Sequence, residues 1–579
     1  MAKTVSEVFV ETLIEAGVRR VYGVVGDSLN GLTDVIRKSE QIDWLHVRHE
    51  ETAAFAAGAD AQVTGQLAVC AGSCGPGNLH LINGLYDCHR TRVPVLAIAA
   101  QVPSSEIGSG YFQETHPEHL FKDCSYYCEL VSQPEQMPRV LGIAMRTAIA
   151  RQGVAVVIIP GDIALRHCHS QPLSLGLDQS ASATLPPSET LEKAAKVLND
   201  APTVAILGGA GCAGARGELF GVAEQLKAPI VHALRGKEFI EYENPYDVGM
   251  TGLLGFASGY QAMMNCDALL VLGSDFPYQQ FYPKDANIIQ VDMRGEQIGR
   301  RSRVNVGIVG TVKETLQALL PLLESNSDRH YLDACLQHYA HTRKGLDELA
   351  AGSPGDSSIH PQFVAKLLDE LASEDAIFAC DVGTPTIWAS RYLHMNGKRR
   401  LLGSFNHGSM ANALPQAIGA QAAMPGRQVV TLSGDGGIAM LLGDLLTLRQ
   451  LNLPVKVIVF NNGALGFVEL EMKAAGWLSY GTDLVNPNFA KLAESADIKG
   501  IRAEAPEDLR PALQAALAHD GPCLVDIKVN RLELAMPPTI TVEQALGFSL
   551  YIMRAVLSGR GEEVIDLAVT NLRCDFLLA

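Results

Sequence analysis

The chain has 579 residues, 47% apolar and 19% charged, with 54 Gly and 28 Pro, an ordinary globular composition that excludes disorder as the main state and a single small binding module. Its 46 Lys and Arg against 63 Asp and Glu leave a formal net charge of −17, which sets nucleic-acid binding aside because a polyphosphate backbone needs a basic surface. The 12 cysteines are scattered without the paired spacing of a zinc site and read as reduced thiols.

Residues 1–20 contain Lys3, Glu7, Glu11, Glu15, Arg19 and Arg20 and no apolar core before a cleavage site, so export is not expected. Helical spacing then alternates with short β-branched runs at 21–25, 66–71, 94–99 and 154–159, the rhythm of a parallel sheet with crossover helices. This first unit is assigned to residues 1–180. Residues 170–190, rich in Ser, Leu, Pro and Gln with Pro186-Pro187 near the end, read as a linker. A second unit over 186–330 has predicted strands at 203–207, 230–233, 268–272 and 288–291, and a third over 355–530 has them at 376–380, 428–432, 455–460 and 523–529. The fold class is α/β, with three tandem parallel-sheet domains and a short C-terminal amphipathic segment over 531–579. In that segment Val542, Leu546, Leu550, Met553 and Leu557 recur at steps of 4, 4, 3 and 4, one apolar stripe of a helix. Nowhere do 18 apolar residues run together, so no membrane span is expected.

The chemistry concentrates after the run at 428–432, where Gly434-Asp435-Gly436-Gly437 opens a helix and Asn461-Asn462 closes the next strand. Glycines let the backbone approach a phosphate, and a helix N-terminus offers it unpaired N–H groups. Asp435 and Asn462, at the carboxyl ends of adjacent strands, supply oxygen ligands to a hard cation such as Mg²⁺. Gly-Asp-Gly alone reads better as a helix-capping turn. The Asn at 462, 27 positions after Asp435, turns the reading to a diphosphate-metal cradle.

These residues resemble the thiamin diphosphate motif of the 2-oxo acid decarboxylases and their relatives. Arg48-His49-Glu50-Glu51 resembles the segment carrying that family's essential glutamate, and Gly408-Ser409-Met410 resembles its aminopyrimidine-contacting turn. The resemblance implies that Glu50 hydrogen-bonds the pyrimidine N1′ and thereby makes the cofactor's own imino nitrogen an internal base. It implies further that the Gly408 carbonyl accepts from the 4′-amino group, that Met410 is the apolar prop bending the cofactor, and that Ser409, Gly436 and Gly437 contact it. Asp435, Asn462 and the backbone carbonyl of Ala464 would hold Mg²⁺. Residues 71–78, 109–114 and the C-terminal segment are together similar to the peripheral-membrane branch of pyruvate oxidases, the quinone-linked pyruvate dehydrogenases, a likeness that covers essentially the whole chain.

In the middle unit, Gly209-Ala-Gly211-Cys-Ala-Gly214 matches the dinucleotide fingerprint formally. No acid follows about twenty residues on, so a tightly packed glycine turn is the better reading. The resemblance places FAD against Thr251, Gly252, Leu253, Leu254, Ser274, Asp275, Phe276, Pro277, Tyr278 and Asp292. It lines the substrate pocket with Phe112, Gln113, Phe467 and Val382, an apolar wall suited to a methyl-bearing 2-oxo acid and helpful to loss of carbon dioxide. The implied activity is oxidative decarboxylation of pyruvate to acetate and CO₂ with thiamin diphosphate, Mg²⁺ and FAD, electrons passing to membrane ubiquinone. The implied assembly is a homotetramer with sites shared between chains. The implied location is cytoplasmic, on the inner face of the cell membrane, with the C-terminal stripe touching lipid. The alternatives are an acetolactate synthase-like carboligase, disfavoured because that enzyme typically has Trp where this chain has Glu471, and a phosphate-dependent pyruvate oxidase.

Overall fold

The computed structural model describes residues 3–169, 183–351, 358–534, 542–558 and 560–571. Three six-stranded sheets, each parallel throughout, follow one another along the chain. In spatial order the first is Asp43–His46, Arg20–Gly23, Ala68–Gly72, Val95–Gln101, Val154–Pro160 and Tyr127–Leu130. The second is Asp247–Met250, Ile230–His232, Val204–Gly208, Ala268–Leu272, Asn287–Asp292 and Val306–Val309. The third is Arg400–Gly403, Ile377–Cys380, Val429–Gly434, Lys456–Asn461, Cys523–Lys528 and Lys499–Ala503.

Numbered within its own domain, the first and third sheets share the strand order 2-1-3-4-6-5, whereas the middle sheet runs 3-2-1-4-5-6. The latter is the doubly wound order that binds nucleotides at its carboxyl edge. The four inner strands of every sheet are those the sequence predicts. All six edge strands were missed: Asp43–His46 carries one exposed and three half-buried residues, and Lys499–Ala503 has a single buried one, so neither shows the continuous apolar run of a strand covered on both faces.

Helix Glu50–Thr64 begins where the His49 ring accepts the Glu51 N–H at 3.2 Å and ends at Gly65, whose φ of +70° suits a left-handed cap. Its sequence is almost all small residues, and Ala53, Ala54, Ala56, Ala57 and Gly58 are buried. That lets it lie directly on helix Ala413–Ala423, where a side chain on Gly419 would overlap the backbone of Ala56. One hydrophobic core therefore joins residues of the first and third sheets.

The C-terminal helices Val542–Leu557 and Gly561–Asn571 pack as a pair on helix Gly466–Ala474. Tyr551 and Ala555 face inward with Leu567, and Tyr551 donates to Glu563 at 2.8 Å. Lys473, itself buried, lies 2.9 Å from Glu469 and 3.3 Å from Glu563. The predicted stripe is the opposite face: Leu546 is 65% and Leu557 81% exposed, with Leu550 and Met553 between them also exposed. The side chain of Val542 and residues 576–578 lie outside the described residues. Among the described residues no helix is long and apolar enough to cross a membrane.

The helix contact predicts opposite signs for two glycine substitutions. Gly419→Ala should destabilise by about 1–3 kcal/mol, because the methyl meets backbone that cannot yield. Gly217→Ala, on helix Arg216–Leu226 with open space around it, should stabilise by up to about 1 kcal/mol. Paired thermal melts of the two variants check both.

Candidate functional site

Strands Val429–Gly434 and Lys456–Asn461 are neighbours, with Gly434 opposite Phe460, so Asp435 and Asn462 leave the same edge of the sheet side by side. Asp435 is buried. Its Oδ1 accepts the Gly436 N–H at 2.9 Å, and its Oδ2 accepts the Gly463 N–H and the Asn486 side-chain amide, both at 2.7 Å. Burial raises the carboxyl above the usual range against these donors. Asn462 Oδ1 accepts the Ala464 N–H at 3.0 Å, and Gly463 between them takes φ +69°, open to glycine at no steric cost. Asn486 also donates to Asn461 at 3.0 Å, and Asn461 to Asp526 at 2.9 Å, a chain of amides that holds the turn. A Cβ on Gly436 would come 2.7 Å from Leu465 and 3.5 Å from Met410 Cε, and one on Gly437 would overlap the Asp381 carboxyl. The turn is thus bare backbone under an apolar cover. Carboxylate, amide and carbonyl oxygens side by side are hard donors, which fits Mg²⁺.

Glu50 is the first residue of its helix and 7% exposed. Its Oε2 pairs with His80 Nδ1 at 2.9 Å, its Oε1 is 3.0 Å from where a Cβ on Gly77 would stand, and the His80 ring stacks on His49 at 4.3 Å. Asn83, one turn beyond His80, donates to Glu51 at 2.7 Å and to Ser409 at 2.9 Å, and pairs with His407 at 2.8 Å. The 407–409 turn is tied in this way to the first domain. Phe112 is 79% exposed on a loop where Gln113 has φ +64° and sits 3.6 Å from the Cys74 thiol.

A cavity of about 890 Å³ opens along the carboxyl edge of the middle sheet. All six strands deliver to it the residues at or just past their ends: Gly209, Ala233, Thr251, Gly273, Asp292 and Gly310. Gly252, Leu253, Leu254 and the run Ser274, Asp275, Phe276, Pro277 and Tyr278 line it as well, and Val382, Gly408, Phe467 and Glu471 join them from the third domain. The Gly209–Gly214 turn is tightly packed, with Gly211 against Gly273, and it floors the cavity as well. Thr251 Oγ1 is buried there without a hydrogen-bond partner, and Asp292, held above the ordinary carboxylate range by burial, has Oδ1 on the Arg294 N–H at 2.9 Å. An unpartnered hydroxyl and a carboxyl beside bare backbone fit an elongated polar ligand. Arg92 of the first domain reaches Asp275 at 2.7 Å across the same space.

The structure therefore gathers Thr251 to Leu254, Ser274 to Tyr278, Asp292, Val382, Gly408 and Phe467 around one cavity. It places Met410, Asp435, Gly436, Gly437, Asn462 and Ala464 together at the cradle beside it. Glu50, Phe112 and Gln113 do not line that cavity, so within one chain Phe112 and Phe467 form no common wall. Glu471, which sequence reasoning used only to disfavour acetolactate synthase, faces the cavity; His80, Asn83 and Asn486 were missed by it. Each is a lone polar residue far in sequence from the group it serves, and only the 30-residue step from Glu50 to His80, helix start to next helix, offered any signal.

Three family models match in chain order: the thiamine pyrophosphate enzyme N-terminal TPP binding domain over residues 3–120, the central domain over 191–319 and the C-terminal TPP binding domain over 381–527. The chain is 37% identical over 568 residues to the putative thiamine pyrophosphate-containing protein YdaP of Bacillus subtilis, covering 98% of each chain. It is 31% identical over 549 residues to an acetolactate synthase of Mycobacterium bovis, 91% of this chain and 88% of that one. It is 29% identical over 523 residues to a pyruvate oxidase of Lactiplantibacillus plantarum, 89% of this chain and 86% of the other.

Removing the outer support of Asp435 tests the cradle. Asn486→Leu should weaken Mg²⁺-dependent binding of thiamin diphosphate about 10- to 100-fold, the usual cost of losing a partner that orients a metal ligand, read by calorimetric titration at fixed cofactor and varied Mg²⁺.

Proposed function

The chain belongs to the thiamine pyrophosphate enzyme family, and from that premise we propose that it decarboxylates pyruvate oxidatively to acetate and CO₂, with FAD as electron carrier and membrane ubiquinone as acceptor. The observation that carries this reading is the single cavity joining all six strand ends of the middle sheet to Val382, Gly408 and Phe467. Its lining would hold a flavin against Thr251 to Leu254, Ser274 to Tyr278 and Asp292, with Val382 and Phe467 as an apolar wall for a short 2-oxo acid.

When bound, thiamin diphosphate supplies the carbon nucleophile and electron sink for decarboxylation, and FAD takes up the two electrons. Glu50 would hydrogen-bond the pyrimidine N1′, and His80, on its Oε2 at 2.9 Å, keeps the carboxyl facing one way. Asp435, Asn462 and the Ala464 carbonyl would hold Mg²⁺ and with it the diphosphate. Phe467 and Val382 exclude water while charge disperses. Over one turnover pyruvate, water and ubiquinone become acetate, CO₂ and ubiquinol.

Glu50 and the exposed Phe112 loop lie apart from the cavity, which supports a homotetramer in which one chain's Glu50, Phe112 and Gln113 complete the cavity and cradle of another. Glu471 in the cavity lining, in place of the bulky Trp of carboligases, supports oxidation over acetolactate synthesis. The exposed stripe Leu546, Leu550, Met553 and Leu557 supports peripheral attachment to the inner face of the cell membrane, where ubiquinone is dissolved. From Arg531 onward acidic residues outnumber basic ones, so apolar insertion rather than charge supplies the attachment.

Two measurements test this reading. In an anaerobic absorbance record of the protein with FAD, Mg²⁺ and thiamin diphosphate, pyruvate should bleach the flavin only when thiamin diphosphate is present, and should do so without phosphate. Acetolactate formed over an oxidised flavin would move the assignment to a carboligase, and bleaching that needs phosphate would move it to the phosphate-dependent oxidase. The triple change Leu546→Asp, Met553→Asp and Leu557→Asp should abolish flotation with lipid vesicles and reduction of vesicle ubiquinone, while reduction of a soluble dye by pyruvate stays within about twofold, since none of the three side chains is buried.

A further inference from the structure

Asp381 follows strand Ile377–Cys380 and is 1% exposed. Its backbone N–H donates to Leu432 O at 2.9 Å, tying it to the strand that ends in the diphosphate turn, and its carbonyl accepts Thr386 Oγ1 at 2.7 Å. The side chain lies between two loops. Oδ1 accepts the Ala413 N–H at 3.0 Å, and the N–H groups of Asn412 and Gly434 also face the carboxyl. Oδ2 has no hydrogen-bond partner and occupies the space a side chain on Gly437 would need. In return Asn412 accepts the Val382 N–H at 3.3 Å and donates to Cys380 O at 3.0 Å. The loop it holds includes Ala411 at φ +65°, a conformation that costs an L-residue free energy and persists only where surroundings impose it.

A buried carboxyl with one unpartnered oxygen is itself costly. Nothing in the cradle or the cavity uses it as a ligand. What it does touch is the 408–413 turn on one side and the 434–437 turn on the other, the two segments assigned above to the pyrimidine and diphosphate ends of one molecule. Met410, the apolar prop, stands on the first of these turns and close to Gly436 on the second.

We propose that Asp381 is a positioning residue: a buried spacer that fixes the distance between the pyrimidine turn and the diphosphate turn, and with it the bend of a cofactor that must reach both. The inference rests on the thiamin diphosphate reading and adds to it a residue that contacts neither the metal nor the substrate. Burial pushes the carboxyl up to about 7, so an amide of the same shape is a close stand-in for its neutral form.

The test compares two ligands of the purified full chain with Mg²⁺, followed calorimetrically: thiamin diphosphate, which spans both turns, and inorganic pyrophosphate, which needs only the second. Asp381→Ala should weaken thiamin diphosphate at least about tenfold, the lower end of the cost of losing a residue that orients a binding group, and leave pyrophosphate within about threefold. Asp381→Asn should restore thiamin diphosphate to within about threefold of the wild type. If Asp381→Ala does not give folded protein, Asp381→Ser, too short to reach Gly437, takes its place. Equal losses for both ligands, unchanged thiamin diphosphate affinity in the Ala and Ser variants, or failure of Asn to rescue would each overturn the proposal. A wild-type chain that binds pyrophosphate but not thiamin diphosphate would instead remove the cofactor reading on which it stands.

Discussion

The rest of the molecule depends on the backbone-to-backbone approach of helix Glu50–Thr64 to helix Ala413–Ala423. With Ala56 against Gly419, the two helix axes come closer than any larger residue would permit, and the cores of the first and third domains merge. Polar ties around this contact are long-range and buried. Asp444 accepts from Arg48 N at 2.9 Å and Thr52 Oγ1 at 2.7 Å, and Asp87 accepts from Ser404 at 2.7 Å and Gln416 at 3.2 Å. Each of these carboxylates serves two donors from the opposite domain or helix, so shifting the helices would strand several buried groups at once. The orientation of Glu50, the place of the 407–409 turn and the mouth of the cavity all follow from this one contact.

The middle domain is held differently. Charged side chains tie it to both neighbours: Arg92 of the first domain to Asp275 and Arg400 of the third to Glu238 at 2.9 Å, and from the middle domain Arg235 to the Thr91 carbonyl at 2.7 Å and Arg294 to the Arg151 carbonyl at 2.6 Å. Such contacts enclose space rather than filling it. The cavity survives because its walls are braced by hydrogen bonds to backbone, which fix a separation that apolar packing would tend to close. The outcome is a division of labour: small residues weld the first and third domains, and arginines hold the middle one against them at a distance a ligand can occupy.

The C-terminal pair extends the same logic to the surface. Its inner face is committed to helix Gly466–Ala474, which carries Phe467 and Glu471 into the cavity, through buried Lys473 and Glu469 and the half-buried Glu563. Its outer face is apolar and exposed. A soluble domain leaves such a stripe uncovered where something else covers it.

Sequence alone determined the α/β class, the four inner strands of each sheet, the Gly434 to Gly437 cradle and the family it belongs to. These are short-range signals: apolar runs in strands covered on both faces, glycine turns at strand ends, and an Asp and Asn at fixed spacing. The shared 2-1-3-4-6-5 order of the first and third sheets was not legible, because it turns on edge strands such as Asp43–His46 and Lys499–Ala503, which are only partly buried and carry no continuous apolar run to read. Nor were His80, Asn83, Asn486 and Asp381, whose roles rest on contacts with residues 30 or more positions away in sequence. Only the tertiary structure decided that Val382 and Phe467 share a cavity with the middle domain while Glu50 and Phe112 do not. The spacing of residues along a chain constrains local turns and periodic faces, but which strand end faces which helix depends on packing between domains, where close approach and buried hydrogen bonds set the geometry.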